Sequence, residues 1–137
     1  MLVDKARRYY LLEDMNCAES IIYAANDEYG LGIDHTGLKS MAGFGGGMAI
    51  ETTCCGALSG AIAAISVRFT KTKAHENPEV KELCKIFLER FAEKHGEINC
   101  APLKNLYRDE RFRCLPVVEL AAAELEKIME EGQKSDE

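Results

Sequence analysis

The sequence lacks any long apolar segment of the kind that crosses or enters a membrane. A transmembrane helix needs about 20 predominantly apolar residues, whereas the longest candidate, residues 54–67, is shorter and is flanked by Glu51 and Arg68. No apolar stretch follows the basic residues near the first methionine, so a secretory signal is not expected either. These absences predict that the protein has no membrane partner and is cytoplasmic.

Clusters of basic residues are also missing. The chain has 17 Lys and Arg residues against 23 Asp and Glu residues, which gives a net charge of −6 at pH 7. An acidic protein repels the phosphates of a nucleic acid unless it concentrates its basic residues, and the sequence contains no run of them. We therefore expect no nucleic-acid partner.

Strand-like alternation and β-hairpin signals are absent, whereas apolar residues recur at helical spacing through most of the chain. We predict an all-α fold, a compact bundle of five to seven helices around one core. A length of 137 residues is typical of one domain. Residues 1–137 are therefore expected to form a single redox-type domain, as argued below, with a frayed polar tail at 132–137.

The segment 54–69 is predicted to be the buried central helix because it is apolar on two faces. Large side chains form one face and smaller residues form the other, namely Leu58, Ile62, Ile65 and Phe69 on the first and Gly56, Gly60, Ala63 and Val67 on the second. The spacing of Gly56 and Gly60 favours close packing of another helix. Shortly before this helix, four of the five residues 43–47 are glycines, which predicts unusual backbone dihedrals or a close backbone approach.

Six cysteines are more than a domain of this size needs in order to fold. Structural disulfides are rare in the reducing cytoplasm, so the cysteines are better interpreted as metal ligands or redox thiols. The sequence has no Cys-x-x-Cys pair, which excludes a thioredoxin motif and a zinc-ribbon half-site. The glycine run lacks the lysine of a P-loop and the flanking strand of a dinucleotide-binding fingerprint.

The cysteines lie instead where helices are predicted to begin. Cys17, the Cys54–Cys55 pair, Cys100 and Cys114 come from four widely separated segments. Unpaired N–H groups and a partial positive charge at a helix N-terminus lower the pKa of a thiol and stabilise bound anions. These four N-termini predict one shared site, because anionic sulfur is stabilised at each of them.

Two further expectations concern the surroundings of this site. The site is expected to receive additional backbone donors from Gly45, Gly46 and Gly47. Cys84 lies inside a helix on its apolar face, so it is predicted to be a core residue.

The stretch Cys55–Gly60 reads CGALSG and fits the pattern CGAxxG. With Cys17 before it and Cys100 and Cys114 after it, the chain resembles the C_GCAxxG_C_C family of redox-active proteins over nearly its whole length. The resemblance implies a redox role without a specified reaction. It assigns the family motif to Cys17, Cys55, Cys100, Cys114, Gly56, Ala57 and Gly60. Cys54 and Cys84 depart from the four-cysteine pattern, and only one of the neighbours Cys54 and Cys55 is expected to face the site.

The leading hypothesis is a small electron-transfer protein that holds an iron–sulfur cluster, because four thiolates are the usual ligands of such clusters. The predicted ligands are Cys17, Cys55, Cys100 and Cys114, and the predicted cofactor-binding residues are Gly45, Gly46, Gly47, Gly56, Ala57 and Gly60. One alternative is a metal-free thiol–disulfide protein in which Cys100 pairs with Cys114, or Cys17 with Cys55. Another is a structural zinc-binding module on the same four cysteines.

With either redox hypothesis, the protein would be an oxidoreductase or an electron-transfer component that acts with a redox partner protein. The sequence is also compatible with a homodimer.

Overall fold

The structure of the protein is a computed structural model that describes residues 1–136. Over those residues the chain folds into seven α-helices. In chain order they are α1 (Leu2–Leu12), α2 (Cys17–Tyr29), α3 (His35–Lys39), α4 (Gly56–Phe69), α5 (Pro78–His95), α6 (Cys100–Tyr107) and α7 (Leu115–Asp136). Strand-type pairing in this part of the chain is limited to two isolated bridges, Cys54 with Asn99 and Asp109 with Arg113. The predicted all-α fold is confirmed.

Helix α4 lies at the centre of the bundle. It packs against α2, α5 and α7, and Leu58 and Ile65 on its large-residue face are fully buried. Its smaller-residue face is less enclosed than the sequence predicts, because Val67 is 45% exposed. Ile62 on the large-residue face is only half-buried. The predicted buried helix is therefore central but open along one side.

Helices α2 and α4 pack closely at Gly60. A Cβ atom on Gly60 would lie 2.6 Å from the carbonyl oxygen of Ala18 and 3.2 Å from the Cβ atom of Ile21. Interiors are packed too densely to absorb such an overlap without a shift of the backbone. Glycine at this position therefore lets α2 approach α4, and the same packing brings the first residues of the two helices together.

The glycine-rich segment forms a tight turn before α4. Residues Gly45–Met48, called the glycine turn below, make one helical turn in which Gly46 and Gly47 have φ values of 68° and 62°. These values lie in the left-handed region that glycine adopts at little cost. The prediction of unusual dihedrals in this run is confirmed.

The last helix extends into the segment 132–137 that the sequence predicts to be a frayed tail. Helix α7 continues past Gly132 to Asp136, and Gly132 is buried because its missing side chain makes room for the ring of Phe69. The last residue of the predicted tail, Glu137, lies outside the described residues. Although α7 has 22 residues, no helix within residues 1–136 is both long and apolar enough to cross a membrane.

The close contact between α2 and α4 predicts that a single methyl group added at Gly60 destabilises the fold. Gly60→Ala should lower the free energy of unfolding by about 1–3 kcal/mol, because the new Cβ atom overlaps the Ala18 carbonyl oxygen. Gly43→Ala is the matched control, since a Cβ atom there meets nothing within 4 Å. Urea denaturation of both variants measures the difference. Equal stabilities of the two variants would show that the helices do not depend on this close approach.

Candidate functional site

The four cysteines of the family pattern line a single cavity of about 210 Å³. Cys17 and Cys100 are the first residues of α2 and α6, while Cys55 and Cys114 directly precede α4 and α7. The complete lining is Tyr10, Asn16, Cys17, Gly46, Cys55, Cys100, Leu103, Lys104, Arg108, Arg113, Cys114 and Val117. The structure thus places all four predicted site cysteines at helix N-termini around one space.

Cys54 faces away from this cavity. Its side chain borders a separate depression with Met41, Phe44 and Ile62, on the open side of α4. Burial raises the pKa of the Cys54 thiol. Of the two neighbouring cysteines, the structure therefore places Cys55, and not Cys54, at the four-cysteine cavity.

Cys84 is also remote from the cavity. It is half-buried on α5, packs against the hydrophobic core and has a pKa raised by burial. This position agrees with the prediction that it is a core residue.

Cys17 and Cys55 line the same cavity, and the interaction of their sulfurs shifts the pKa values of the two thiols in opposite directions. The hydrogen bond from Cys55 is the largest cause that lowers the pKa of Cys17 to about 6, and the backbone N–H groups of Gly46 and Ala18 act in the same direction against the effect of burial. The same hydrogen bond, followed by burial, raises the pKa of Cys55 far above its ordinary value. This interaction therefore favours a thiolate on Cys17 and a thiol on Cys55.

The start of α2 is held in place by a capping box. The Asn16 side chain accepts a hydrogen bond from the Glu19 N–H at 2.9 Å, and the Glu19 carboxylate accepts one from the Asn16 N–H at 3.1 Å. The Asn16 side chain also donates to the carbonyl oxygen of Ala42 at 2.9 Å. One residue thus fixes the first turn of α2 and ties it to the segment that leads into the glycine turn.

Gly46 and Gly56 both lie next to the sulfur of Cys17. Gly46, with its positive φ, directs its N–H group to the sulfur of Cys17. A Cβ atom on Gly56 would lie 2.6 Å from the same sulfur and 2.8 Å from the carbonyl oxygen of Phe44. The first glycine of the CGAxxG motif is therefore needed because the Cys17 sulfur occupies the space of its side chain.

Cys100 also lies against the glycine turn, where it contacts Gly47. Its N–H group donates to the carbonyl oxygen of Thr53 at 2.8 Å, and a Cβ atom on Gly47 would come within 2.5 Å of the Cys100 Cβ atom. The side chain is buried, and this burial raises the pKa of the Cys100 thiol.

Cys114 completes the group of four. Its N–H group donates to the hydroxyl oxygen of Tyr10 at 3.1 Å. Burial raises the pKa of the Cys114 thiol, and the negative charge of Cys17 raises it further, while Lys104 and Arg108 act in the opposite direction. Of the four sulfurs, only Cys17 has a lowered pKa.

Three other predicted cofactor-binding residues, Gly45, Gly60 and Ala57, are not among the lining residues of the cavity. Gly45 lies against the Asn16 side chain and Gly60 packs on α2, so neither lines the cavity. Ala57 is fully buried and its N–H group donates to the Cys55 sulfur. Within the described residues, the Cys, His, Asp and Glu side chains do not come together in groups of three or more that could hold a metal ion.

Sequence reasoning missed the basic side of the cavity, formed by Lys104, Arg108 and Arg113. Lys104 forms an ion pair with Glu51. The available signal was local: four of the basic residues of an acidic chain occur between Cys100 and Cys114, although not as a continuous run.

The thiolate–thiol pair predicts a pH dependence for the reactivity of Cys17. Because the thiolate is the reactive form, the rate of alkylation of Cys17 by iodoacetamide should reach its plateau near neutral pH and fall as the pH decreases through about 6. Cys55→Ala removes the hydrogen-bond donor, so the midpoint should move up by about one pH unit or more. Mass spectrometry of the Cys17 peptide after timed alkylation measures both profiles.

Cys54→Ala is the matched control, since it removes the neighbouring thiol that faces away from the cavity. This variant should leave the pH midpoint of Cys17 alkylation unchanged. A midpoint that shifts equally in both variants, or in neither, would contradict the assignment of Cys55 as the donor.

Comparison with known proteins agrees with this arrangement of cysteines. The family model described as "Putative redox-active protein (C_GCAxxG_C_C)" matches residues 15–128. A protein of Archaeoglobus fulgidus described as uncharacterized is 32% identical, over 86% of this chain and 89% of its own length. No solved structure matches the chain. The matched region contains all four cysteines of the cavity, and the chain belongs to the C_GCAxxG_C_C family of redox-active proteins.

Proposed function

We propose that the protein is a thiol–disulfide redox protein in which Cys17 is the nucleophile and Cys55 is the second thiol of the pair. The observation that carries the proposal is the placement of both cysteines at one cavity, with the Cys17 sulfur packed against Gly56, the neighbour of Cys55, and with opposite pKa shifts on the two thiols. A thiol is most effective in disulfide exchange when its pKa lies near the ambient pH. The pKa of Cys17, about 6, meets this condition.

The exchange takes place in two steps. The Cys17 thiolate attacks one sulfur of a disulfide substrate, a mixed disulfide forms, and the other half of the substrate leaves as a thiolate. Cys55 then loses its proton to that thiolate and attacks the Cys17 sulfur, which forms the Cys17–Cys55 disulfide and releases the second half. One substrate disulfide and two protein thiols thus become one protein disulfide and two substrate thiols.

The surroundings of Cys55 favour this order of events. Before the first step, the negative charge on Cys17 keeps Cys55 protonated. Once Cys17 is bonded to the substrate, that charge and its hydrogen bond are gone, so the pKa of Cys55 falls. The N–H groups of Ala57 and Leu58, which already lower it, then stabilise the new thiolate. Hydrogen-bonded sulfurs need only a small approach to reach disulfide distance.

An iron–sulfur cluster on Cys17, Cys55, Cys100 and Cys114 is the second candidate. It is favoured by the convergence of four cysteines at helix N-termini, where N–H groups stabilise an anionic cluster. Four thiolates of this kind are typical cluster ligands. The thiol pair is preferred because the opposite pKa shifts of Cys17 and Cys55 already distinguish a nucleophile from a second thiol without any added group.

Mild oxidation distinguishes the two candidates. Treatment with a small disulfide should remove two free thiols and link the Cys17 and Cys55 peptides. Cys55→Ala should abolish this link. Cys84→Ala should retain it and cost about 1 kcal/mol of stability, because Cys84 packs against the core away from the cavity. Thiol titration and peptide mass spectrometry measure these outcomes.

Iron and sulfide analysis of anaerobically purified protein accompanies the oxidation experiment. Stoichiometric iron and sulfide that disappear in the Cys55→Ala variant would favour the cluster over the thiol pair. A link between Cys100 and Cys114 alone, or an unchanged thiol count, would also contradict the proposal.

A further inference from the structure

The cavity beside Cys17 is positively charged although the whole chain is acidic. The protein has a net charge of −6, yet three cations line the cavity, Lys104, Arg108 and Arg113, and no Asp or Glu is among its lining residues. A surface patch with the average composition of this chain would carry a negative charge instead. It creates a local field that attracts anions to the reactive sulfur.

Two of these cations form no ion pair within the described residues, although the Glu51 carboxylate also acts electrostatically on Arg108. Lys104 is paired with Glu51, whereas neither Arg108 nor Arg113 makes an ion pair among the side chains that the structure describes. The carboxylate next to Arg108 in sequence, Asp109, accepts hydrogen bonds from the backbone N–H groups of Arg111 and Phe112 instead.

The two arginines are held at the cavity by contacts other than ion pairs. The Arg113 guanidinium lies over the ring of Tyr10, 4.7 Å from its centroid. The Arg108 side chain lies near Cys114 and acts to lower the pKa of that thiol. The N–H group of Asp109 donates to the carbonyl oxygen of Arg113 at 2.8 Å, which closes the turn between the two arginines. Both guanidinium groups are therefore positioned and still available to an external anion.

We propose that the substrate of the Cys17–Cys55 pair is a small disulfide that carries carboxylate groups, and that Arg108 and Arg113 select it. This inference rests on the proposed thiol–disulfide function. Guanidinium groups bind carboxylates through paired hydrogen bonds, and without them the charge of the Cys17 thiolate would repel an anion. The cavity, at about 210 Å³, is smaller than ordinary ligand pockets of roughly 300–1,000 Å³, so it receives one half of the disulfide while the other half stays in solvent.

The test compares two small aromatic disulfides that differ in charge. Dithiobis-nitrobenzoate carries a carboxylate on each half, and dithiodipyridine is neutral. Their rates of reaction with Cys17 are measured at low salt by mass spectrometry of the Cys17 peptide. The ratio of the anionic to the neutral rate is the readout, because a change in the Cys17 thiolate fraction affects both rates equally.

The double variant Arg108→Gln with Arg113→Gln should lower this ratio about tenfold, at the lower end of electrostatic rate effects because both side chains are exposed. The control Arg111→Gln lies in the same loop but does not line the cavity, and it should change the ratio by less than about twofold. Replacement of both arginines by lysine keeps the charges and should retain most of the ratio. In the unmodified protein, added salt should lower the ratio towards that of the double glutamine variant.

The outcomes separate this inference from the function on which it rests. If Cys17 reacts with both disulfides and the ratio is the same in all variants and at all salt concentrations, the anionic substrate class is wrong. If Cys17 reacts with neither disulfide in any variant, the thiol–disulfide function itself is wrong.

Discussion

The interaction between the sulfurs of Cys17 and Cys55 is the one on which the rest of the site depends. It stabilises one negative charge in a largely buried place and keeps the neighbouring sulfur neutral. A second thiolate beside the first would be strongly disfavoured by the repulsion of like charges. The pair therefore holds a nucleophile and a protonated second thiol at the same pH, and this division of roles is what two-step disulfide exchange requires.

The fold positions this pair through the close packing of α2 on α4. Gly60 allows the two helices to approach, and Gly56 leaves the space that the Cys17 sulfur occupies. Gly46 supplies an N–H group to the same sulfur from the glycine turn. The glycines of the CGAxxG motif thus serve the helix packing and the sulfur pair directly, so their substitution should disturb the geometry of the thiols even where no cavity residue changes.

Much of this arrangement could be predicted from the sequence, because it depends on local signals. Helical spacing indicated where helices begin, and the placement of Cys17, Cys55, Cys100 and Cys114 at those points predicted that they converge. Helix periodicity alone could not decide between Cys54 and Cys55, because both residues precede the first residue of α4. The structure places Cys54 on the open side of α4. The basic side of the cavity was also missed, since Arg108 and Arg113 come together only through the turn between them.

The most direct test of the thiolate–thiol pair is a pH titration of the protein labelled with carbon-13 at the cysteine β-carbons, followed by nuclear magnetic resonance. The β-carbon shift of each cysteine reports its own ionisation, so Cys17 and Cys55 are observed separately. Cys17 should titrate with a midpoint of about 6, while Cys55 should remain a thiol through neutral and mildly alkaline pH. Titration of both cysteines near their ordinary pKa values would contradict the thiolate–thiol pair.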